Sequence, residues 1–273
     1  NNAFGYYALA SNTTGGGNAA FGTNALTSNL IGAFNAAFGN NSLNKNTASY
    51  NSAFGIGAAF SNISGTYNSA LGYNSLYFNQ SGNNNTAVGD FALRYARYSN
   101  NVGLGMFAGN DSDYDSDCTF IGYNTNNDSY LHLYNNSTAI GSGARLTASN
   151  QVAVGNSSVT SIGGFAGWTN FSDGRFKKEV NEDVPGLEFI KKLRPVTYHL
   201  DVKGLAEYLH EDVTDMHEGR EQAAGEAAIQ ARNDKGKQLE TGFIAQEVEA
   251  AAKELGFDFS GVDKPLNETD LYG

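Results

Sequence analysis

A glycine recurs at regular intervals through the first 155 residues of the chain, in nine of ten copies after one small residue and then one large apolar residue, and in the copy that ends at Gly122 after Phe120 and Ile121. Successive glycines are 16 or 17 residues apart, apart from two final intervals of 19 and 14 residues. A repeat of this length is too short for a pair of helices, so each copy is predicted to form one coil built on a short strand. The repeated glycines are Gly5, Gly22, Gly39, Gly55, Gly72, Gly89, Gly105, Gly122, Gly141 and Gly155.

Two neighbouring positions in each copy must face opposite sides of the strand, because side chains alternate along extended backbone. The residue just before the glycine is large and apolar in every copy, as in Phe38 and Leu71. The residue before that is alanine in eight copies, including Ala53 and Ala70. We therefore expect the large residues to form the core of each coil and the alanines to face a neighbouring chain, so that Ala53→Glu disrupts assembly. Alternatively, the alanines only fill an exposed face.

The copies "NAAFGTNAL" from Asn18, "NSALGYNSL" from Asn68 and "NQVAVGNSS" from Asn150 resemble the head repeats of trimeric autotransporter adhesins and of related phage fibres. The resemblance covers residues 1–158. It implies a left-handed parallel β-roll of about ten coils, three chains of which associate into a rod. With coils about 4.8 Å apart, such a rod is on the order of 45 Å long.

The surface of the roll is predicted to be either passive structure or a receptor-binding surface. Aromatic side chains on this surface suit contacts to a glycan or a protein receptor. The tyrosines with which we associate this role are Tyr6, Tyr7, Tyr73 and Tyr77.

One coil contains an acidic loop, "NDSDYDSDC", in which every second residue is an aspartate. Alternate carboxylates on an extended segment converge on one side, and their oxygen atoms suit calcium. The loop lacks the Gly and the Glu that an EF-hand has at its sixth and twelfth positions, so a solvated turn is the alternative interpretation. The candidate calcium ligands, and the only cofactor site considered, are Asp111, Asp113, Asp115 and Asp117.

Charge divides the chain near residue 171. Residues 1–171 hold four basic and six acidic side chains, whereas residues 172–273 hold thirteen and 22. No basic patch is present and no apolar run approaches the roughly 18 residues of a membrane span, which argues against nucleic-acid binding and membrane insertion. The single cysteine, Cys118, excludes an internal disulfide framework, and we expect it to be buried.

The second part combines strand and helix signals and is expected to be a small, helix-rich α+β domain. A strand is predicted from Pro195, in "LRPVTYHLD". Apolar spacing predicts one helix over residues 204–232 and another that starts at Thr241 and ends at a cap on Gly256. The predicted organisation is therefore a roll over residues 1–158, a linker over 159–171 and a second domain over 172–273.

Three phrases of the second part, "SDGRFKKEV", "LRPVTYHL" and "GFIAQEVEAA", together resemble the intramolecular chaperone domain of the S74 peptidase family. That domain is found at the ends of phage tailspikes and tail fibres and of some cellular proteins. The resemblance implies a trimer-forming module that guides assembly of the β-fibre and, in many members, then cuts itself away. It also implies that the module continues beyond Gly273. Because residue 1 is not Met and the first residues already lie inside a repeat, we expect the chain to be the end piece of something longer.

The same resemblance assigns roles within "FSDGRFKKEV". It makes Ser172 the nucleophile, Lys177 the base and Phe171–Ser172 the bond that is cut, once per chain, either within a chain or between chains. Asp173 and Arg175 are the supporting residues. A lysine must be neutral to act as a base, so we expect cutting to depend on burial in the assembled trimer.

The function predicted from the sequence is a homotrimeric fibre tip or adhesin, on a virion, an injection particle or a cell surface, with a glycan or protein receptor. One alternative is a tailspike enzyme that cleaves glycans, which would need paired carboxylates; outside the acidic loop the roll offers only Asp90 and Asp128. The other is a cellular adhesin that keeps its chaperone domain uncut.

Overall fold

The computed structural model describes residues 1–129, 133–163, 172–182, 184–211 and 226–262, together with Lys264. Two compact units are present. The first contains Asn1–Ser157 and Gly204–Gly225, and the second contains Ser158–Lys203 and Glu226–Gly273. Each unit is described by itself below.

The first unit is a parallel β-solenoid, as the glycine repeat predicts. Ten three-residue strands pair in chain order into one parallel sheet, with one strand per coil. Equivalent residues pair directly, so that Ala20 lies beside Ala37 and Phe21 beside Phe38. The strands are β1 (Asn2–Phe4), β2 (Ala19–Phe21), β3 (Ala36–Phe38), β4 (Ser52–Phe54), β5 (Ser69–Leu71), β6 (Thr86–Val88), β7 (Val102–Leu104), β8 (Thr119–Ile121), β10 (Thr138–Ile140) and β12 (Val152–Val154). A separate parallel pair is formed by β9 (Asn126–Asn127) and β11 (Arg145–Leu146).

The recurrent glycine is required by the close approach of successive coils. Gly22 has φ +138°, and a Cβ atom added there would lie 2.5 Å from the carbonyl oxygen of Gly39. The same relation joins Gly39 to Gly55, with a distance of 2.4 Å. Any side chain at this position would therefore strain the backbone and also push the coils apart.

The assignment of the two strand faces from the sequence is wrong, because the alanines lie inside the coil and the large apolar residues lie outside. Ala37 and Ala53 are fully buried, whereas Phe54 is 41% exposed and Leu71 is 51% exposed. In most coils the interior is too narrow for a large side chain on this strand; the exception is Phe120 of β8, which is fully buried beside Gly109. At Gly103 even an added methyl group would lie 2.8 Å from Cγ of Leu93.

Leucines from the opposite side of the coil complete the apolar interior. Leu26, Leu43, Leu76 and Leu93 are fully buried and pack with the strand alanines in one continuous cluster. Each of these leucines has a positive φ, between 47° and 51°, which is an unusual conformation for a residue with a branched side chain. Stacking of successive coils holds the backbone in this geometry.

Two ladders of asparagines, which are buried in every coil except the first, hold the coils in register. In the first ladder, Oδ1 of Asn18 accepts the backbone N–H of Asn35 at 2.9 Å, and Oδ1 of Asn35 accepts that of Asn51 at 2.9 Å. In the second, Nδ2 of Asn62 donates to Oδ1 of Asn46 at 2.7 Å. The first ladder consists of Asn1, Asn18, Asn35, Asn51, Asn68, Asn85 and Asn101, and the second of Asn12, Asn29, Asn46, Asn62 and Asn79.

The remaining elements lie in the second part of the chain. They are α1 (Leu187–Ile190), β13 (Val196–Tyr198), α2 (Val202–Tyr208), α3 (Glu226–Gly236), β14 (Glu240–Gly242) and α4 (Ala245–Glu254). The strand predicted after Pro195 is confirmed as β13, which pairs antiparallel with β14. Because Glu240–Gly242 belongs to that strand pair, α4 begins at Ala245 and not at Thr241.

The helix predicted over residues 204–232 is found only at its two ends, as α2 and α3, since residues 212–225 lie outside the described part of the chain. The predicted cap on α4 is confirmed: Gly256 has φ +68°, and the N–H of Phe257 donates to the carbonyl of Ala252 at 3.0 Å. The core of the second unit consists of Phe189, Val248, Ala251, Ala252 and Val262.

Candidate functional site

Ser172 and Lys177 lie on either side of one short 3-10 turn, Gly174–Phe176. Oδ1 of Asp173 accepts the backbone N–H of Arg175 at 2.9 Å and so closes the start of the turn. The turn brings the two predicted catalytic side chains together: Nζ of Lys177 donates to Oγ of Ser172 at 2.8 Å. This separation is within the range over which a base can take a proton from a nucleophile. Both side chains are exposed.

Asp173 and Arg175, the two predicted supporting residues, form an ion pair across the turn. Nε of Arg175 lies 3.1 and 3.0 Å from the two carboxylate oxygens of Asp173. The hydrogen bonds from the side chain and then from the backbone of Arg175 lower the pKa of Asp173. The pair fixes the turn, and it also places a carboxylate next to the guanidinium, which offsets the positive charge near Lys177.

The other predicted partner of the site, Phe171, lies outside the described residues, as does the whole of 164–171. The structure therefore shows the hydroxyl and the amine, and the position of the predicted scissile carbonyl stays a prediction.

The second and third of the three quoted phrases are brought together in the same unit. Strand β13 belongs to "LRPVTYHL" and pairs with β14, which leads into "GFIAQEVEAA". Arg194 and Glu247 join the two phrases, with Nε of the arginine 3.0 Å from Oε2 of the glutamate. That hydrogen bond lowers the pKa of Glu247. The second and third phrases, which are far apart in the sequence, are thus in contact in the structure.

A comparison with protein-family models matches residues 172–257 to Peptidase_S74, described as the chaperone of endosialidase. Residues 172–257 are an S74 chaperone region. The match starts at Ser172, directly after the predicted cut, and follows the β-solenoid, so the layout predicted from the sequence is confirmed. No curated protein and no solved structure matches the chain.

Within the described residues, no helix is long and apolar enough to span a membrane. That the chain binds no nucleic acid and that it has a glycan or protein receptor stay predictions.

The acidic loop of the solenoid does not bring its four carboxylates together. Asp113 forms an ion pair with Arg97 at 3.0 Å, Asp117 accepts a hydrogen bond from Asn100 at 2.9 Å, and Asp115 points into the coil. Across the described residues, no group of three or more His, Cys, Asp or Glu side chains is placed to hold a metal ion. Calcium binding at Asp111–Asp117 stays a prediction to which the geometry adds no support.

Asp115 is a buried carboxylate inside the solenoid. Its oxygens accept hydrogen bonds from Nδ2 of Asn127 at 2.7 Å and from the N–H of Tyr134 at 2.8 Å. Burial outweighs these bonds and raises the pKa of Asp115 to about 6. Cys118 is buried nearby, as predicted, and burial raises the pKa of its thiol to about 12. Neither group has the exposure of a reactive site.

The sequence-based choice of surface tyrosines is only partly matched by the structure. Tyr6, Tyr7 and Tyr73 are exposed, whereas Tyr77 is half-buried and stacks on Phe60 with ring centroids 5.0 Å apart.

A second set of aromatic side chains, which the sequence analysis missed, occupies one corner of three successive coils. Phe34 stacks on Tyr50 at 5.4 Å, and Tyr50 stacks on Tyr67 at 5.0 Å. All three are exposed and have positive φ. The signal was present in the sequence, since each of the three directly precedes a ladder asparagine.

The most extensive exposed feature is the row of large residues on the outer face of the sheet, here called the apolar ladder. Three of its phenylalanines stack in parallel, with centroids 4.8 Å apart for both Phe21–Phe38 and Phe38–Phe54, whereas the ring of Phe4 is tilted against that of Phe21. It consists of Phe4, Phe21, Phe38, Phe54, Leu71, Val88, Leu104, Ile121, Ile140 and Val154.

Proposed function

We propose that the chain forms a homotrimeric fibre or adhesin, in which the apolar ladders of three solenoids pack together and the S74 region guides their assembly. The observation that carries this proposal is the apolar ladder itself. It runs through all ten strands, and on a single chain eight of its side chains are exposed and the other two, Phe38 and Val88, are half-buried. Soluble proteins rarely leave so long an apolar surface in water unless it is an interaction site.

A second copy of the same chain is the partner that fits this surface best. The ladder repeats once per coil, at the spacing of adjacent β-strands, about 4.8 Å. Another solenoid with the same repeat offers apolar groups at the same interval, so every rung finds a partner. Burying one such Phe or Leu side chain contributes about 1.5–3 kcal/mol, and the contributions accumulate along the ladder. The number three rests on the resemblance of the repeats to trimeric fibres and on the S74 region.

The need for a chaperone follows from the topology of the solenoid. Every strand pairs in parallel with the next coil, so no local hairpin can start folding. Ordering each residue costs about 1–2 kcal/mol before stacking of coils compensates. An S74 region that associates first would hold three chains together and fix their starting alignment.

Attachment to a host or surface glycan or protein is the role we propose for the assembled fibre, displayed on a virion, an injection particle or a cell. The exposed corner aromatics Phe34, Tyr50 and Tyr67 support this proposal, since aromatic side chains favour binding surfaces. The rival proposal, a glycan-cleaving enzyme, has less support. Asp90 accepts the N–H of Tyr73 at 2.7 Å, and Asp128 accepts the hydroxyl of Tyr134 at 2.8 Å, so each carboxylate has its own local partner.

Replacing one rung of the apolar ladder by a charge tests the assembly. Phe54→Asp should leave the coil folded, because the side chain points outward, and should release single chains, because three charges would meet in the interface. Ile63→Asp is the matched control: it lies in the same coil, is similarly exposed and is not part of the ladder. Light scattering measures both. Dissociation of both variants to the same extent, or of neither, would count against the ladder as the interface.

We further propose that the S74 region cuts the chain once, at Phe171–Ser172. Lys177, in its neutral form, takes the proton from Ser172 Oγ, which attacks the carbonyl carbon of a Phe171 residue. The peptide bond breaks, the released amine takes the proton, and water then hydrolyses the resulting ester to leave the carboxylate of Phe171. The 2.8 Å contact supports the first step. Lys177 must be buried to be neutral near pH 7, and it is exposed on a single chain. We therefore propose that assembly of the trimer buries Lys177 and so triggers the cut.

Intact-mass spectrometry tests the cut. The wild type should yield two fragments that meet at Phe171–Ser172. Ser172→Ala should give one intact chain that still assembles, and Lys177→Arg should also stay intact, because arginine cannot act as a base. Lys178→Arg is the control and should be cut normally. Cutting that persists in Ser172→Ala would remove this serine from the chemistry.

A further inference from the structure

Successive coils are joined at one corner by a repeating backbone hydrogen bond. The residue two positions after each repeat glycine donates its N–H to the coil before it. Asn124 donates to the carbonyl of Met106 at 3.0 Å, and Gly143 donates to that of Tyr123 at 2.9 Å. The equivalent donor in the last coil is Ser157, and by the same rule its acceptor would be the carbonyl of Ser142.

In the last coil this bond is replaced by side-chain contacts. The carbonyl of Ser142 accepts Nδ2 of Asn156 at 2.9 Å. The N–H of Ser157 donates instead to Oε1 of Glu211 at 2.8 Å, and its hydroxyl donates to Oε2 of the same carboxylate at 2.6 Å. Ser157 and Glu211 are both buried. A donor that leaves the backbone ladder thus meets a charged acceptor away from water, where such bonds are strongest.

The end of α2 positions this carboxylate. Leu209 continues the helical hydrogen bonding, donating to Leu205 at 2.9 Å, and His210 then has a left-handed φ of 52°. The turn lets the N–H of Glu211 donate to the carbonyl of Ala206 at 3.0 Å, and Ala206 is itself fully buried. Residues 204–211 belong to the same compact unit as the solenoid, although they are part of the S74 region.

We propose that Glu211 is the residue with which the S74 region terminates the solenoid. Its carboxylate takes up the amide and the hydroxyl of Ser157 where the chain leaves the coil ladder, and so docks residues 204–211 on the last coil. A docked segment would also give this C-terminal coil a defined end from which the other coils could fold in turn. This consequence for folding rests on the proposed chaperone function. Ser157 and Glu211 also lie on opposite sides of the predicted cut, so the contact would hold the two fragments together after it.

Hydrogen exchange of the full chain, followed by mass spectrometry, tests the contact. In Glu211→Ala, peptides that cover residues 155–159 should exchange on the order of tenfold faster or more, because a charge-assisted acceptor of a buried amide is lost. Glu211→Gln, which keeps one acceptor and nearly the same volume, should lie between the alanine variant and the wild type. Glu188→Gln, an exposed glutamate of α1, is the control and should leave these peptides unchanged.

A double-mutant cycle separates a direct contact from general loosening. Ser157→Ala removes one of the two hydrogen bonds, so its effect on exchange should be smaller in the Glu211→Gln background than in the wild type. Additive effects, or unchanged exchange at residues 155–159 in the Glu211 variants, would overturn the proposal. The mass of the wild type in native solution is measured in the same samples. If the wild type is monomeric but Ser157→Ala and Glu211→Gln have non-additive effects on exchange, the proposed trimer is refuted and the Ser157–Glu211 contact is supported.

Discussion

Asparagine is the residue type that does most to hold successive coils in register. Asn51 is fully buried: its Oδ1 accepts the N–H of Asn68 at 3.0 Å, and its Nδ2 donates to the carbonyl of Gly65 at 2.8 Å. Both of these side-chain bonds reach the following coil, and the backbone N–H of Asn51 donates to Oδ1 of Asn35 in the preceding coil at 2.9 Å, so each rung is bonded on both sides. An aspartate or a serine could make only part of this pattern. The sequence does not predict these ladders, because composition alone does not show whether an asparagine in a turn faces water or the interior.

Asp115 gives the solenoid a pH dependence whose sign follows from its burial. The folded-state pKa of about 6 lies above the value of about 3.9 in an unfolded chain, so the folded state binds the extra proton between these values. The contribution of Asp115 to stability is therefore fully present below about pH 4 and is lost as the pH rises through 6. The difference in pKa corresponds to about 3 kcal/mol.

A comparison of wild type with Asp115→Asn across pH tests this directly. The asparagine does not titrate, so the melting temperature of the wild type should fall relative to that of the variant as the pH rises from 4 to 8, with most of the change between pH 4 and pH 6 and little above pH 7. Two melting curves that run parallel over this range would show that Asp115 does not titrate in the folded state as its burial predicts.

At the scale of the coil, the period and the strand position could be read from the sequence, but not the direction in which the strand faces. The alternation of Ala53 and Phe54 shows that they point to opposite sides and leaves open which side is the interior. That choice depends on the width of the coil, which is set by leucines such as Leu43 and Leu93 on the far side. In most coils the interior accepts only a small residue on the strand and the larger residue points outward, whereas in β8 the fully buried Phe120 takes the place of the alanine.

Ala53→Glu therefore has a different expected outcome from the one that the sequence suggested. Ala53 is buried within its own coil, so a glutamate there would place an unpaired charge in the interior at a cost of several kcal/mol. The solenoid should melt at a much lower temperature or fail to fold, as measured by circular dichroism. A variant that keeps the melting behaviour of the coil and loses only its assembly would restore the original assignment of the faces.

At the scale of the whole molecule, local sequence patterns predicted that a repeat region is followed by an S74 region. They did not predict contacts between residues far apart in the sequence. The dyad Ser172–Lys177 could be anticipated from the resemblance to the S74 family, and a single turn between the two residues brings their side chains together. Arg194–Glu247 and Ser157–Glu211 join residues 53 and 54 positions apart, and no periodicity links such positions. The apolar ladder likewise emerged only once the strands were stacked in register.

The most direct test of the central claim, that three solenoids associate along the apolar ladder, is the mass of the intact chain in native solution. Ser172→Ala is the chain to use, since it cannot be cut by the proposed chemistry and so has a single mass of close to 29.0 kDa. Light scattering should then give three times the mass of one chain, over a wide range of protein concentration. A stable species with the mass of one chain would contradict the account, because the exposed ladder would then have no partner.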